Sequence, residues 1–375
     1  MKVALLVHRF HPDIGGVEMT AEILARGWAV RYGDEVTVIT HTTEHDPTVG
    51  FPFTVLRGPR RRELWEAIKG ADVVFHNNPC MQLYWPQIPL RPPCVIAIRQ
   101  WITQADEELS LAQRLKMGLK YALVEQADIV VANSQATFDH VAGVDRVIPN
   151  SYRDRVFTWT RTAPRDRRRL VYVGRINVEH KGVDMLVEAV RRLAERGLDP
   201  SLVVVGDGEA QPEMERLVRE AGIVDRVRFA GRLDGPATAV ELNEAAIAIV
   251  PSRQPETFGT VALEAAACGA VPVVADHGGL PEAAGPAGPH VRPNDVDALT
   301  DELARLMTDE DYYSGYASAI PAHVAQHHED RMVDAYHEVL ERAVSGGSRR
   351  GARGTMRRLL RFLRSGRWTV TSPSR

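Results

Sequence analysis

Short apolar runs alternate with amphipathic stretches along the first part of the chain. The runs are rich in valine and isoleucine, which is typical of buried strands, and the longer stretches have the 3.6-residue spacing of helices. Strands are predicted at residues 3–7, 36–40, 72–76, 95–98 and 129–132, and helices at 17–32 and 110–126. This alternation favours a parallel sheet that is covered by helices.

A second alternating series follows a polar, basic segment at residues 158–169, which is broken by Pro164 and predicted to be a linker. Strands are predicted at 170–173, 202–205, 227–229, 246–250 and 271–275, helices at 183–196, 212–221, 237–245 and 259–268, and a last helix at 328–343. The two series predict an α/β protein with two Rossmann-like halves. The cleft between such halves is where a ligand is expected to bind.

Composition agrees with a two-domain globular protein. The chain has 375 residues, of which 44% are hydrophobic and 25% charged. It has no apolar run of 18 residues and begins directly with a predicted strand, so we expect a cytoplasmic protein. Cys80, Cys94 and Cys268 are scattered in apolar surroundings, which favours reduced structural thiols over disulfides or a metal cluster.

Charge is distributed unevenly, because residues 346–375 contain nine arginines and no acid in a chain of net charge −3. Met356, Leu359, Leu360 and Leu363 have the spacing of one helix face. We therefore expect a peripheral contact with the inner face of an anionic membrane, the alternative being a disordered, solvated tail. No motif supports nucleic-acid binding.

Two glutamates, Glu256 and Glu264, carry the main chemical signal. Glu256 is predicted in the loop before the helix at 259–268, and Glu264 about one and a half turns inside that helix. Between them, the backbone N–H groups of Phe258, Gly259 and Thr260 lack intrahelical acceptors and form an anion site. Amides that hold phosphate beside carboxylates that accept hydroxyl hydrogen bonds suit a nucleotide-sugar.

The glutamate pair is followed by an EA-x-A-x-G-x-P-V run, made of Glu264, Ala265, Ala267, Gly269, Pro272 and Val273. At these residues the chain resembles the retaining GT-B glycosyltransferases of family 4. The resemblance implies a GT-B fold, with two Rossmann-like domains facing across a cleft and a C-terminal helix that crosses back to the N-terminal domain. The expected parts are an acceptor-side domain at 1–160, a donor-side domain at 161–325, the crossover helix at 326–345 and the basic tail at 346–375.

The family's G-R-x5-K-G pattern is met by Gly174, Arg175, Lys181 and Gly182. A nucleoside diphosphate leaves with about two negative charges, and fixed cations stabilise that charge. The resemblance implies that Arg175 and Lys181 bind the pyrophosphate, Glu256 the sugar hydroxyls and Glu264 the ribose.

Other segments resemble the family along residues 1–340. Gly15 and Gly16 match its opening loop, which lies against the donor. Gly206, at the end of the strand predicted at 202–205, and Arg232, in the loop near the nucleotide base, match two further segments. Gly278, Gly279, Pro281 and Glu282 match its GG-x-PE element.

One departure concerns the segment after the strand at 95–98. Many family members carry a histidine there, whereas this chain has Arg99. Arg99 and His76 are therefore further candidates for the catalytic group. Asp295 and Asp297 look like a metal-binding D-x-D pair, but their context predicts a helix cap, so no metal or other cofactor is expected.

The resulting hypothesis is a metal-independent, retaining hexosyltransferase that uses a nucleoside-diphosphate sugar and an acceptor hydroxyl on a glycan, a lipid-linked molecule or a small molecule. A uridine diphosphate donor is favoured over guanosine diphosphate-mannose. Two alternatives share the same donor site, namely a GT-B-shaped sugar-nucleotide epimerase or hydrolase, and an inactive sugar-nucleotide-binding subunit.

Overall fold

The computed structural model describes residues 1–12, 15–101, 111–141, 143–161 and 163–346. The predicted amphipathic segment of the basic tail, residues 356–363, lies outside the described residues. The strands are β1 (Lys2–Val7), β2 (Glu35–Thr40), β3 (Thr54–Arg57), β4 (Val73–Asn77), β5 (Cys94–Ile98), β6 (Ile129–Ala132), β7 (Arg146–Val147), β8 (Arg169–Val173), β9 (Ser201–Val205), β10 (Val227–Gly231), β11 (Ile247–Val250), β12 (Val271–Ala275) and β13 (His290–Val291).

Within the described residues, the helices include all those that the sequence pattern predicts, together with several short ones. They are α1 (Gly16–Arg31), α2 (Arg61–Lys69), α3 (Gln87–Leu90), α4 (Leu111–Val124), α5 (Gln135–His140), α6 (Val178–Lys181), α7 (Val183–Glu195), α8 (Gln211–Glu220), α9 (Gly235–Glu244), α10 (Thr260–Ala267), α11 (Leu280–Ala284), α12 (Val296–Thr308), α13 (Glu310–Val324) and α14 (Glu329–Gly346). None of the described helices is both long enough and apolar enough to span a bilayer.

The chain divides into two compact units. Unit 1 contains Met1–Asn150 and the described residues from Asp330 onward, and unit 2 is Ser151–Glu329. Unit 2 therefore begins ten residues before and ends four residues after the donor-side domain at 161–325 that the sequence indicates.

The segment at 158–169 belongs to unit 2 in its described part, because its polar groups bind that unit. The backbone N–H of Thr160 donates to Asn243 Oδ1 at 2.9 Å, and the Arg165 guanidinium donates to the carbonyl oxygens of Ala245 and Cys268. These bonds hold the segment against the neighbouring helices α9 and α10 of unit 2.

Unit 1 contains a parallel sheet with the strand order β3-β2-β1-β4-β5-β6-β7. Its central strands are buried on both faces, as expected for a sheet with helices on each side. Val3 and Leu5 of β1 share a core with helices α1 and α14, whereas Ala4 and Leu6 share another core with Leu64 of α2.

Helix α14 returns the chain to unit 1. Its buried residues Val333, Tyr336 and Leu340 lie in the same core as Val3 of β1. Close packing against α1 depends on Gly27, because a Cβ atom there would lie 2.6 Å from both Val333 methyl carbons. The predicted C-terminal helix that crosses back to the N-terminal domain is therefore confirmed.

Unit 2 contains a parallel sheet with the strand order β10-β9-β8-β11-β12-β13. Counted within the unit this is the order 3-2-1-4-5-6 of the dinucleotide-binding Rossmann fold. The order reverses between β8 and β11, and open α/β sheets bind ligands outside the carboxyl ends of the strands at such a reversal. The candidate residues of unit 2 lie at this edge.

Candidate functional site

Two glycines bring the carboxyl ends of the strands in unit 2 close together. Gly206 follows β9 with φ +132°, and a Cβ atom on it would lie 1.9 Å from the carbonyl oxygen of Gly174. The Gly206 N–H donates to the Gly231 carbonyl at 2.8 Å. Only glycine allows this approach, so Gly206 shapes the floor of the site by its missing side chain.

The loop after β8 is bonded to the loop after β11. The carbonyl oxygen of His180 accepts hydrogen bonds from the backbone N–H groups of Arg253 (2.9 Å) and Gln254 (3.1 Å). Gly182, with φ +64°, permits this contact, because a Cβ atom there would lie 2.8 Å from the Pro251 carbonyl oxygen. The segment of Arg175 and Lys181 is thus joined to the segment of Glu256.

Lys181 and Glu256 form an ion pair across these two loops, with 2.7 Å between Nζ and Oε1. Ser252 also donates its hydroxyl to Glu256 Oε1, at 2.5 Å. Burial raises the pKa of Glu256, but the charge of Lys181 and the hydrogen bonds from Lys181 and Ser252 outweigh this and lower the pKa overall. Glu256 is therefore an ionised carboxylate, and both partners are partly exposed to solvent.

The GG-x-PE element supports the Glu256 loop from behind. The Gly279 N–H donates to the Glu256 carbonyl at 2.7 Å, and a Cβ atom on Gly278 (φ +60°) would lie 2.3 Å from that same oxygen. His277 Nε2 lies 2.7 Å from the Ser252 carbonyl oxygen. Sequence reasoning missed Ser252 and His277, since neither belongs to a matched motif.

Helix α10 begins directly after this loop. Gly259 is its N-cap with φ +98°, and Thr260 is its first residue. The Phe258 side chain lies in the core of unit 2, so only its backbone can contribute to a site. Within the described residues, the N–H groups of Phe258, Gly259 and Thr260 have no hydrogen-bond acceptor. They remain available to an anion, as helix N-termini commonly are.

Glu264 lies inside α10 and is only 6% exposed. Burial raises its pKa from 4.5 to about 7, against the opposing influence of the Arg153 charge. No hydrogen bond to its carboxyl group is found within the described residues. A buried carboxyl group whose oxygens are not used by such bonds can accept hydrogen bonds from the hydroxyl groups of a ligand.

Arg175 and Arg232 are exposed after the carboxyl ends of β8 and β10, the two strands on either side of β9. The Arg175 carbonyl accepts a hydrogen bond of 2.7 Å from the Tyr172 hydroxyl, which fixes the backbone of the loop. The Glu209 pKa is lowered first by its hydrogen bond to Asn177 and also by the nearby charge of Arg175. Arg175 and Arg232 thus add positive charge to the same edge of the sheet as Lys181.

Gly15 and Gly16 lie at the start of α1 in unit 1 and are exposed. Gly15 is the N-cap in an extended conformation. Asn77, the last residue of β4, donates its side-chain amide to the Val17 carbonyl at 2.6 Å. This bond ties the first turn of α1 to the carboxyl end of a central strand.

His76 is buried in unit 1, with 1% exposure. Its ring is hydrogen-bonded to the Gln87 side chain, and Cys80 N–H donates to Nδ1 at 3.5 Å. Burial lowers the pKa of His76 to about 4, so the ring is neutral at physiological pH. These surroundings suit a structural histidine, and we leave it out of the site.

Arg99 follows β5 and is 4% exposed. Its Nε donates to Asn77 Oδ1 at 3.0 Å and its Nη1 to Asn150 Oδ1 at 2.5 Å. The guanidinium carbon lies 5.0 Å from the centre of the Tyr336 ring of α14. Arg99 therefore connects Asn77 of β4, Asn150 and Tyr336 of α14. These contacts suit a residue that positions other parts of unit 1.

The D-x-D sequence forms a helix cap, as its context predicts. Asp295 is the N-cap of α12, and its carboxylate accepts the Ala298 N–H at 2.9 Å. Asp297 instead pairs with Arg192. The two carboxylates are thus used within the fold of unit 2.

Comparison with known families assigns both parts of the chain. Residues 14–153 match the model of Glycosyltransferase Family 4, and residues 167–309 match the model of Glycosyl transferases group 1.

Curated relatives agree with these matches. An MMP alpha-(1->4)-mannosyltransferase of Mycolicibacterium hassiacum is 30% identical over 286 residues, which cover 69% of this chain and 68% of that protein. A D-inositol 3-phosphate glycosyltransferase of Corynebacterium jeikeium is 32% identical over 60% of each chain. The chain spans between about half and 60% of the length of the first curated relatives that it matches.

Solved structures share the fold at lower identity. The Anabaena protein HepE in complex with UDP-glucose superposes with a TM-score of 0.74 at 20% identity, covering 91% of this chain and 99% of that one. Sucrose-phosphate synthase from Thermosynechococcus elongatus has a TM-score of 0.71 at 23% identity, with 92% and 100% covered. The fold is therefore that of a GT-B glycosyltransferase. The chain belongs to glycosyltransferase family 4.

Proposed function

We propose that this protein is a retaining glycosyltransferase that moves a hexose from a nucleoside-diphosphate sugar to an acceptor hydroxyl. The observation that carries the proposal is the Lys181–Glu256 ion pair of 2.7 Å at the carboxyl edge of the unit 2 sheet, beside the N-terminus of α10. The pair places a cation that can bind phosphate beside a carboxylate that can accept hydrogen bonds from hydroxyl groups. A nucleotide-sugar offers both phosphate and hydroxyl groups.

Each residue of unit 2 has a role in this proposal. The N–H groups of Phe258, Gly259 and Thr260 hold the diphosphate at the start of α10. Glu264, buried one and a half turns further on, accepts the ribose hydroxyls. Glu256 accepts hydroxyls of the transferred sugar.

Lys181 and Arg175 stabilise the charge that develops on the leaving diphosphate. The Lys181 ammonium is held by Glu256, so its orientation is fixed by the protein itself. Its three N–H donors allow it to keep this bond while it contacts a phosphate oxygen. Preorganised donors of this kind contribute about 10²- to 10³-fold each to the rate.

The proton of the acceptor hydroxyl goes to the leaving phosphate on the same face of the sugar. Glu256 is a poor general base, because Lys181 and Ser252 lower its pKa and stabilise the ionised form. A front-face displacement of this type retains the anomeric configuration. It also requires no catalytic role for His76 or Arg99.

We favour a uridine diphosphate donor. HepE was solved with UDP-glucose, whereas one relative, from Corynebacterium glutamicum, is named as a GDP-mannose-dependent mannosyltransferase. The loop that carries Arg232 follows β10 and is the part of unit 2 that we expect to contact the base.

A thermal-shift screen against UDP-, GDP- and ADP-sugars tests the donor class. A ligand that binds only the folded protein raises the melting temperature. We expect a UDP-sugar to raise it for the wild type and to have no effect on Glu264→Ala, while Glu220→Ala, an exposed glutamate at the end of α8 in the same unit, behaves as the wild type. The absence of a shift with every nucleotide-sugar would contradict the proposal.

A further inference from the structure

We propose that His8, His41 and Cys80 of unit 1 bind a thiophilic divalent cation of the zinc class. One possible ligand atom from each residue lies within 4.8 Å of the other two. Such a site could not be predicted from the sequence, because the three residues are far apart along the chain and form no metal-binding motif.

The strand order explains how the three side chains meet. His8 follows β1, His41 follows β2, and Cys80 lies three residues after β4. These strands are neighbours in the order β2-β1-β4, so their carboxyl ends lie side by side. The sheet order of unit 1 reverses between β1 and β4, which is where α/β sheets form ligand crevices.

Backbone contacts fix the positions of these residues. The His41 N–H donates to the His8 carbonyl at 3.2 Å, and the Thr40 hydroxyl donates to the same oxygen at 3.2 Å. The Cys80 N–H donates to the buried His76 ring, which Gln87 orients in turn. His76 thereby gains a role as a positioning residue for the Cys80 backbone.

The donor set suits the proposed cation. Two imidazoles and a thiolate are ligands that zinc prefers, at about 2.0–2.1 Å from nitrogen and about 2.3 Å from sulfur. Tetrahedral ligands at such distances lie roughly 3–4 Å apart, so small side-chain rotations close the present separation. The cysteine proton is released to solvent on binding.

A second observation points to a missing partner. His41 Nε2 is buried and makes no hydrogen bond within the described residues. A buried polar atom without a partner is costly, and coordination to a metal ion would remove that cost.

His8 is exposed, whereas Cys80 is buried. The cation would therefore be bound at the surface of the crevice, with three protein ligands and a fourth position open to water or a ligand. All three residues belong to unit 1, so this proposal stands independently of the donor site in unit 2.

Cobalt and zinc titrations of the full-length, untagged and chelator-treated protein test the site. We expect one equivalent of Co²⁺ to produce a thiolate-to-cobalt charge-transfer band, and one equivalent of Zn²⁺ to displace it. Cys80→Ser should abolish the band. His8→Ala should weaken binding at least about 10-fold, since even outer-shell changes cost about 10- to 100-fold.

Two matched variants serve as controls. Cys94→Ser removes another buried cysteine of unit 1, and His45→Ala removes an exposed histidine of the loop after β2. Both should bind Co²⁺ as the wild type does. Because His8 is exposed, His8→Ala should keep the fold, which circular dichroism would check.

The proposal would be overturned if the wild type binds no Co²⁺ or Zn²⁺ with a thiolate signature. It would equally be overturned if Cys80→Ser and a folded His8→Ala bind the metal as tightly as the wild type.

Discussion

Glu256 and Glu264 are chemically identical, but their surroundings shift their pKa in opposite directions. Lys181 and Ser252 outweigh the effect of burial on Glu256, whereas burial dominates for Glu264 and raises its pKa to about 7. Glu256 is thus ready to accept hydrogen bonds at any physiological pH. Glu264 is partly protonated at neutral pH until a ligand supplies polar contacts.

The raised pKa of Glu264 predicts a pH-dependent stability. Between about pH 4.5 and 7 the folded protein keeps a proton that the unfolded chain has released, so the free energy of unfolding falls as pH rises through this window. Glu264→Gln does not titrate. We expect its stability relative to the wild type to increase from about pH 5 to about pH 8.

Urea unfolding of both proteins in the absence of ligand measures this difference. Glu179→Gln, an exposed glutamate of the same unit, is the matched control and should show no such trend. A difference in the free energy of unfolding between Glu264→Gln and the wild type that stays constant across the pH range would refute the raised pKa of Glu264.

Gly278 supports the Glu256 loop by having no side chain. Alanine at this position would place a Cβ atom 2.3 Å from the Glu256 carbonyl oxygen in a backbone conformation of φ +60°. We expect Gly278→Ala to lower the free energy of unfolding by more than the roughly 1–3 kcal/mol of backbone strain alone. Donor affinity should fall as well, because the loop must move.

Gly222→Ala separates strain from steric clash. Gly222 has a similar φ of +68° but nothing within 4 Å of a Cβ atom. Gly222→Ala should therefore lose only the stability that corresponds to backbone strain. Equal losses of stability in the two variants, measured by urea unfolding, would mean that the contact with Glu256 is unimportant.

Helices α1 and α14 pack closely because Gly27 faces Val333. Gly27→Ala would improve helix propensity by about 1 kcal/mol but overfill the contact at a cost of about 1–3 kcal/mol. We expect a net loss of stability. Gly315→Ala, in α13 with open space around it, should instead be neutral or stabilising, and thermal unfolding of the pair would show this.

A melting temperature for Gly27→Ala at or above that of the wild type would contradict the close packing of the two helices.

Most elements could be predicted from the sequence, because buried parallel strands and amphipathic helices have strong periodic patterns. The strand at 3–7 and the helix at 183–196 agree with β1 and α7 within one residue. The strand β3 was missed, since it is short, lies at the sheet edge and has no fully buried residue. Its pattern therefore carries little hydrophobic signal.

The candidate site was predictable where a motif requires a particular backbone. Glycines such as Gly206 and Gly278 are needed for close contacts, and the spacing of the glutamates follows from the loop and the first turns of α10. The burial of His76 and Arg99 could not be predicted from the sequence pattern. Residues at strand ends look alike in sequence whether they face solvent or the core.

The basic tail adds a prediction for the full-length protein. Each arginine near the surface of an anionic membrane should contribute about 1 kcal/mol to the free energy of binding. We expect the full chain to float with anionic liposomes and a 1–345 truncation to remain in solution, with neutral liposomes as the control. Equal behaviour of the two proteins would exclude this role.

The proposed donor site in unit 2 is most directly tested by the release of nucleoside diphosphate from a sugar donor. We predict turnover by the wild type and a fall of about 10²- to 10³-fold in folded Lys181→Ala, because the developing charge loses a fixed cation. Lys69→Ala, an exposed lysine of unit 1, should be unaffected. A Lys181→Ala variant that turns over at the wild-type rate would contradict the account.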